Sequence, residues 1–105
     1  MATIKDLNAA NFEETIGSGT VLVDFWAPWC NPCRMLAPVL ESASQDLEGK
    51  ALFYGIDVDE NPALAAQFGI QSIPALIVLK KGQPVARQVG FMPKPALMQW
   101  LNGVL

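Results

Sequence analysis

Residues 21–27 of this chain, Val21-Leu22-Val23-Asp24-Phe25-Trp26-Ala27, are apolar at every position but Asp24. A strand with one wet face alternates apolar with polar, so a β-branched and aromatic run apolar in both phases is a strand covered on both faces. Pro28 then ends the pairing, because it has no N–H to offer a ladder. The only two cysteines, Cys30 and Cys33, follow at once. Beyond them Leu36, Leu40, Ala43 and Leu47 recur at intervals of four, three and four, which gives one buried helical face and excludes a period of two. A buried strand therefore turns into a helix at the cysteines. A thiol at Cys30 would sit among unpaired helix N–H groups at the positive end of the macrodipole, which favours its thiolate.

The other elements follow from the same reasoning. Residues 3–6 fit a short edge strand. Asn11 with Glu14 three positions on is a capping-box arrangement, with Phe12 and Ile16 as the buried pair and Gly17 as the stop. Gly49 closes the long helix, and residues 51–59 read as a second interior strand. Asn61 is an N-cap, Pro62 the first helical residue, Leu64 and Phe68 face inward, and Gly69 ends that helix. Strand, helix, strand and helix in that order make a parallel crossover unit. Residues 75–79 and 85–89 are joined by Lys80-Lys81-Gly82-Gln83-Pro84, too short for a helix, so they pair as an antiparallel hairpin. Leu97, Trp100, Leu101 and Val104 form a terminal amphipathic helix after Pro93 and Pro95. The expected architecture is α/β, a mixed central sheet of four to five strands flanked by helices on both faces, in a single domain spanning residues 1–105.

At 105 residues and 51% hydrophobic, such a domain buries a core without disulfide or metal staples. A net charge of −3, with seven basic residues scattered along the chain, supplies no footprint for nucleic acid or an anionic membrane. Met1-Ala2-Thr3-Ile4-Lys5-Asp6 lacks the basic segment and apolar core of an export signal, and no apolar run approaches the ~20 residues of a membrane span. A cytoplasmic protein is expected. There two cysteines would not persist as an inert staple, which leaves reactive or metal-binding roles. Zinc needs four ligands, and the chain has no histidine and no second cysteine pair, so no metal is expected.

Two residues between the cysteines at a helix start bring the sulfurs within bonding reach, with the N-terminal thiol the more exposed. Cys30 can then attack a substrate disulfide and Cys33 resolve the mixed disulfide. The plainer account is two buried cysteines that merely pack. Asp24 shares a face with Leu22 and Trp26, and for it the plainer account is a buried, hydrogen-bonded structural acid. Burial should raise its pKa. Pro38 clashes with the carbonyl of Arg34 and should kink the helix. Trp29 belongs on an exposed surface and Trp26 in the core. The run Asp57-Val58-Asp59-Glu60 reads as a solvated approach to a helix, and Met35, Met92 and Met98 read as packing.

The motif Phe25-Trp26-Ala27-x-Trp29-Cys30-x-Pro32-Cys33, with Pro38 and Ile73-Pro74, closely resembles the thioredoxin family. The resemblance covers nearly the whole chain, including Asp59-x-Asn61-Pro62, Lys81-Gly82 and Gly90. It implies the thioredoxin fold and a protein-disulfide reductase, with Cys30 as nucleophile, Cys33 as resolving thiol and Asp24 as proton shuttle beneath them. It implies a cis peptide bond at Ile73-Pro74 packed against the cysteines, where the alternative is a plain strand-edge proline. The Ile73 backbone would take an extended client segment as an added strand, within a surface made of Trp29, Pro32, Ile73, Pro74, Gly90 and Phe91. No bound cofactor is implied. Electrons would come from a flavin-containing thioredoxin reductase drawing on NADPH and pass to proteins with accessible disulfides, and the chain would work as a monomer.

Four positions depart from the family pattern. Asn31 stands where glycine is usual, between the first cysteine and Pro32, and that dipeptide tunes redox potential. Asn31 keeps open a more oxidising dithiol oxidase or isomerase, and a non-catalytic binding module is the remaining alternative. Gly55 stands where many members carry a lysine near the buried acid, which should push Asp24 further up. Ala75 replaces a threonine after Pro74, and Arg34 replaces a lysine after Cys33.

Overall fold

The apolar run is the middle of the sheet. In the computed structural model, which describes residues 4–105, it forms β2 (Thr20–Trp26), with a strand on either side. The remaining elements are β1 (Lys5–Asp6), α1 (Phe12–Ile16), α2 (Asn31–Asp46), β3 (Leu52–Asp57), α3 (Pro62–Gln67), β4 (Ala75–Lys80), β5 (Gln83–Val89) and α4 (Lys94–Val104). The strands lie in the order β1-β3-β2-β4-β5. β3 is parallel to both β1 and β2, whereas β4 is antiparallel to β2 and β5 is antiparallel to β4. This is the mixed, helix-flanked sheet expected. Of the edge strand expected over residues 3–6, Thr3 lies outside the described residues, as do Met1 and Ala2.

Alternation along β2 sorts its side chains into two cores. Leu22 packs with Leu76 and Val78 beneath Leu36, Leu40 and Ala43 of α2 and Leu97 and Leu101 of α4. Val21, Val23 and Phe25 pack with Ile77 and Leu79 against Phe12 and Ile16 of α1 and Leu64 of α3. Phe68 joins that second core edge to face with Phe12, their ring centroids 5.5 Å apart.

Several local expectations are corrected. The Asn11 side chain makes no cap bond to α1, because its Oδ1 accepts instead from the backbone N–H of Asn8 at 2.9 Å. Gly17 does stop α1 as its C-cap, but with right-handed backbone, and the left-handed residue is Gly19, with φ +73. The Asn61 side chain donates to the Asp57 carbonyl rather than capping α3. The hairpin connection is shorter than expected, because Lys80 and Gln83 pair with each other and leave Lys81 and Gly82 as a two-residue loop. Both have positive φ, 51 and 81, the backbone of the tight turn that matches strand twist. Pro84 fits within β5 because the register slips beside Leu79 and β5 is an edge strand. Met35 is exposed, while Met92 and Met98 do pack on the core.

No helix among the described residues is long and apolar enough to cross a membrane, and none of these residues form a group of three or more His, Cys, Asp or Glu able to hold a metal.

Candidate functional site at the start of α2

β2 ends at Trp26, and a tight turn follows in which the Cys30 N–H donates to the Ala27 carbonyl at 3.1 Å. Cys30 is the N-cap of α2, with extended backbone, and Pro32 sits in the first turn, where its missing N–H leaves no helical bond unmade. The two cysteines form a disulfide with their Cα atoms 5.3 Å apart. The Cys33 N–H donates to Cys30 Sγ at 3.2 Å, so the sulfur takes the capping role usually filled by a side-chain oxygen. Exposure does not separate the two residues as expected, at 4% for Cys30 and 3% for Cys33. What separates them is their surroundings: Cys30 Sγ also lies 3.8 Å from the Ile73 carbonyl oxygen.

That approach joins a second loop to the site. The Ile73-Pro74 peptide bond is cis, Pro74 is buried, and its carbonyl accepts the Gly90 N–H at 2.8 Å. The β4–β5 hairpin, pairing Ala75 with Val89, delivers Gly90 and the 41%-exposed Phe91 to the same end of the sheet. Trp29 is 68% exposed, and its indole N–H donates to Asp59 Oδ2 at 2.7 Å. Asn31 and Pro32 are exposed at the first turn of α2. The acidic approach to α3 is therefore partly engaged, since Asp59 holds Trp29.

Asp24 is 1% exposed, and neither of its oxygens has a hydrogen-bond partner among the described residues. A hydrogen-bonded structural acid would need a partner that the described residues do not supply. Burial first, and then the Asp6 carboxylate, push its pKa up to about 7. Trp26 corrects another expectation: it is half-buried rather than core, packing beside Ala27, Cys30 and Cys33 while its Nε1 donates to Asp6 Oδ1 at 2.9 Å. Asp6 was absent from the candidate residues, and only the pairing of β1 with β3 brings it here.

A disulfide capping a helix, one sulfur beside a backbone carbonyl at an open surface, is an arrangement for thiol-disulfide exchange. Residues 3–103 match the family model described as Thioredoxin. The chain belongs to the thioredoxin family. It is 54% identical over 102 residues to a thioredoxin of Staphylococcus haemolyticus and 53% identical to one of Staphylococcus aureus, covering 97% of each chain in both cases. The expectation of a thiol-disulfide oxidoreductase that reduces protein disulfides is borne out.

Proposed function

We propose that Cys30 is the attacking thiolate, Cys33 the resolving thiol and Asp24 the group that takes the Cys33 proton, within a single thioredoxin domain spanning residues 1–105. Cys30 attacks one sulfur of a client disulfide, forming a mixed disulfide while the other client sulfur leaves as a thiolate. Cys33, deprotonated by Asp24, then attacks the Cys30 sulfur. The client departs with both sulfurs reduced to thiols: the one S–S bond it loses is balanced by the new Cys30–Cys33 bond, and the two protons given up by the Cys30 and Cys33 thiols end on the client sulfurs. The observation that carries this reading is the Cys30–Cys33 disulfide at the N-terminus of α2 beside the Ile73 carbonyl. A proton acceptor with a pKa of about 7 suits exchange at neutral pH.

Trp29, Pro32, Ile73, Pro74, Gly90 and Phe91 form the client surface, where an extended segment aligns beside Ile73, and Asn31 tunes the potential. The oxidised pair needs two electrons returned to it. Their source is a flavin-containing thioredoxin reductase supplied by NADPH, and the protein acts in the cytoplasm as a monomer.

The deciding experiment equilibrates the protein in graded dithiol/disulfide buffers and counts free thiols. A midpoint at the reducing end of protein dithiols supports the reductase roles. A midpoint far toward the oxidising end reverses the direction to that of an oxidase or isomerase, and a failure to re-form the disulfide leaves only a binding module.

A further inference from the structure

One row of residues crosses the sheet at the level of the buried acid. Asp6 of β1 pairs with Gly55 of β3, which pairs with Asp24 of β2, which pairs with Leu76 of β4, which pairs with Gln88 of β5. Residues in register project to the same face, so Asp6 and Asp24 face the same side of the sheet with only Gly55 between them. Gly55 has no side chain, and Trp26, two residues beyond Asp24 on β2, donates its Nε1 hydrogen to Asp6 Oδ1 at 2.9 Å. The Trp26 ring lies against the cluster of Ala27, Cys30 and Cys33.

We propose that Asp6 is a positioning residue of the reductase centre: it fixes the Trp26 indole beside the cysteine pair and holds a second carboxylate in the field of Asp24. The proposal rests on the reading of Asp24 as the acceptor of the Cys33 proton. Two strand spacings of about 4.8 Å put the Asp6 and Asp24 backbones roughly 10 Å apart, with the buried Gly55 between them and Asp6 itself exposed. At that separation a like charge still disfavours ionisation of the buried acid.

Among the described residues no cation offsets it. The buried residues of α2 are Cys33, Leu36, Leu40 and Ala43, those of α4 are Leu97 and Leu101, and the row continues through Leu76 and Gln88. Lys5 and Arg87 belong to the adjacent row, on the opposite face. Beside Asp6 a cleft of about 400 Å³ adds Asp57 and Glu60, which carry the same sign. The Asp24 carboxyl, pushed up first by burial and second by Asp6, follows this arrangement.

Asp6→Asn and Asp6→Ala separate the two roles. Asparagine keeps an oxygen for the Trp26 N–H but removes the charge, whereas alanine removes both. The titration midpoint of Asp24, read directly from its carboxyl carbon by NMR in the reduced and oxidised protein, should fall by about half a pH unit in both variants. The near-ultraviolet circular dichroism of Trp26, isolated in a Trp29→Phe, Trp100→Phe background, should change in Asp6→Ala and be restored in Asp6→Asn. An Asp24 midpoint that stays in place in both variants overturns the electrostatic role. An unchanged Trp26 signal in Asp6→Ala overturns the positioning role. The pH profile of client reduction tests the underlying reading separately: a midpoint that moves while the profile does not sinks Asp24 as proton acceptor and leaves Asp6 standing.

Discussion

The backbone N–H of Cys33 donates to the sulfur of Cys30 at 3.2 Å, so the residue proposed to resolve caps and polarises the proposed nucleophile through its main chain. That contact survives loss of the Cys33 side chain. Cys33→Ser should therefore still attack clients but fail to release them, accumulating a one-to-one mixed disulfide that mass spectrometry detects. Cys30→Ser should form no adduct. An adduct through Cys33 in the Cys30→Ser protein would reverse the two roles.

Asp24 makes stability depend on pH in an uncommon direction. Its carboxyl titrates at 3.8 in the unfolded chain and at about 7 in the fold, so between those values the unfolded state has lost a proton that the native state keeps. Its contribution is complete below pH 4, falls as pH rises, and levels off above about 7, a loss of about 4 kcal/mol across the window. Denaturant unfolding of the parent and Asp24→Asn at pH 4.5, 6 and 8 checks this. The asparagine variant should gain on the parent as pH rises, and parallel curves would remove Asp24 as the source.

Trp29 is exposed yet tied to Asp59, so its ring is held out rather than free to fold back. Trp29→Ala removes little buried area and should shift stability by under about 0.5 kcal/mol. It also removes a rigid aromatic from the proposed client surface, and KM for a protein disulfide should rise about tenfold. Steady-state kinetics with a protein client would show it, and an unchanged KM would take Trp29 off that surface.

At Gly90 the backbone has φ +98, and an added Cβ meets nothing within 4 Å. Any penalty there is conformational rather than steric. Gly90→Ala should lower unfolding free energy by about 1–2 kcal/mol, measured by chemical denaturation, and a neutral result would mean the loop adopts another backbone at no cost.

Much of the fold was legible because its signals are local. Residues 21–27 announced a doubly covered strand by being apolar in both phases, and the structure buries Leu22 on one face and Val21, Val23 and Phe25 on the other. The spacing of Leu36, Leu40, Ala43 and Leu47 located α2, and all four are buried. The misses were choices between partners. Asn11 carried the right residue for a cap, but its side chain found the Asn8 N–H instead. Trp26 carried a core residue's composition, yet its indole N–H needed an acceptor and turned toward Asp6.

Periodicity and motif spacing in the chain alone were enough for the order of strands and helices, the cysteine pair at a helix start, and a lone acid in an apolar strand. They do not report which residues meet across the sheet. The strand order β1-β3-β2-β4-β5 aligns Asp6, Gly55 and Asp24, brings Ile73 to Cys30 across 43 residues of chain, and sets Asp59 under Trp29. Such meetings depend on how whole elements pack, because burial rewards total apolar area removed from water and is indifferent to distance along the chain. Local pattern therefore places the reacting sulfurs, while the charge and hydrogen bonds that surround them arise only when the sheet closes.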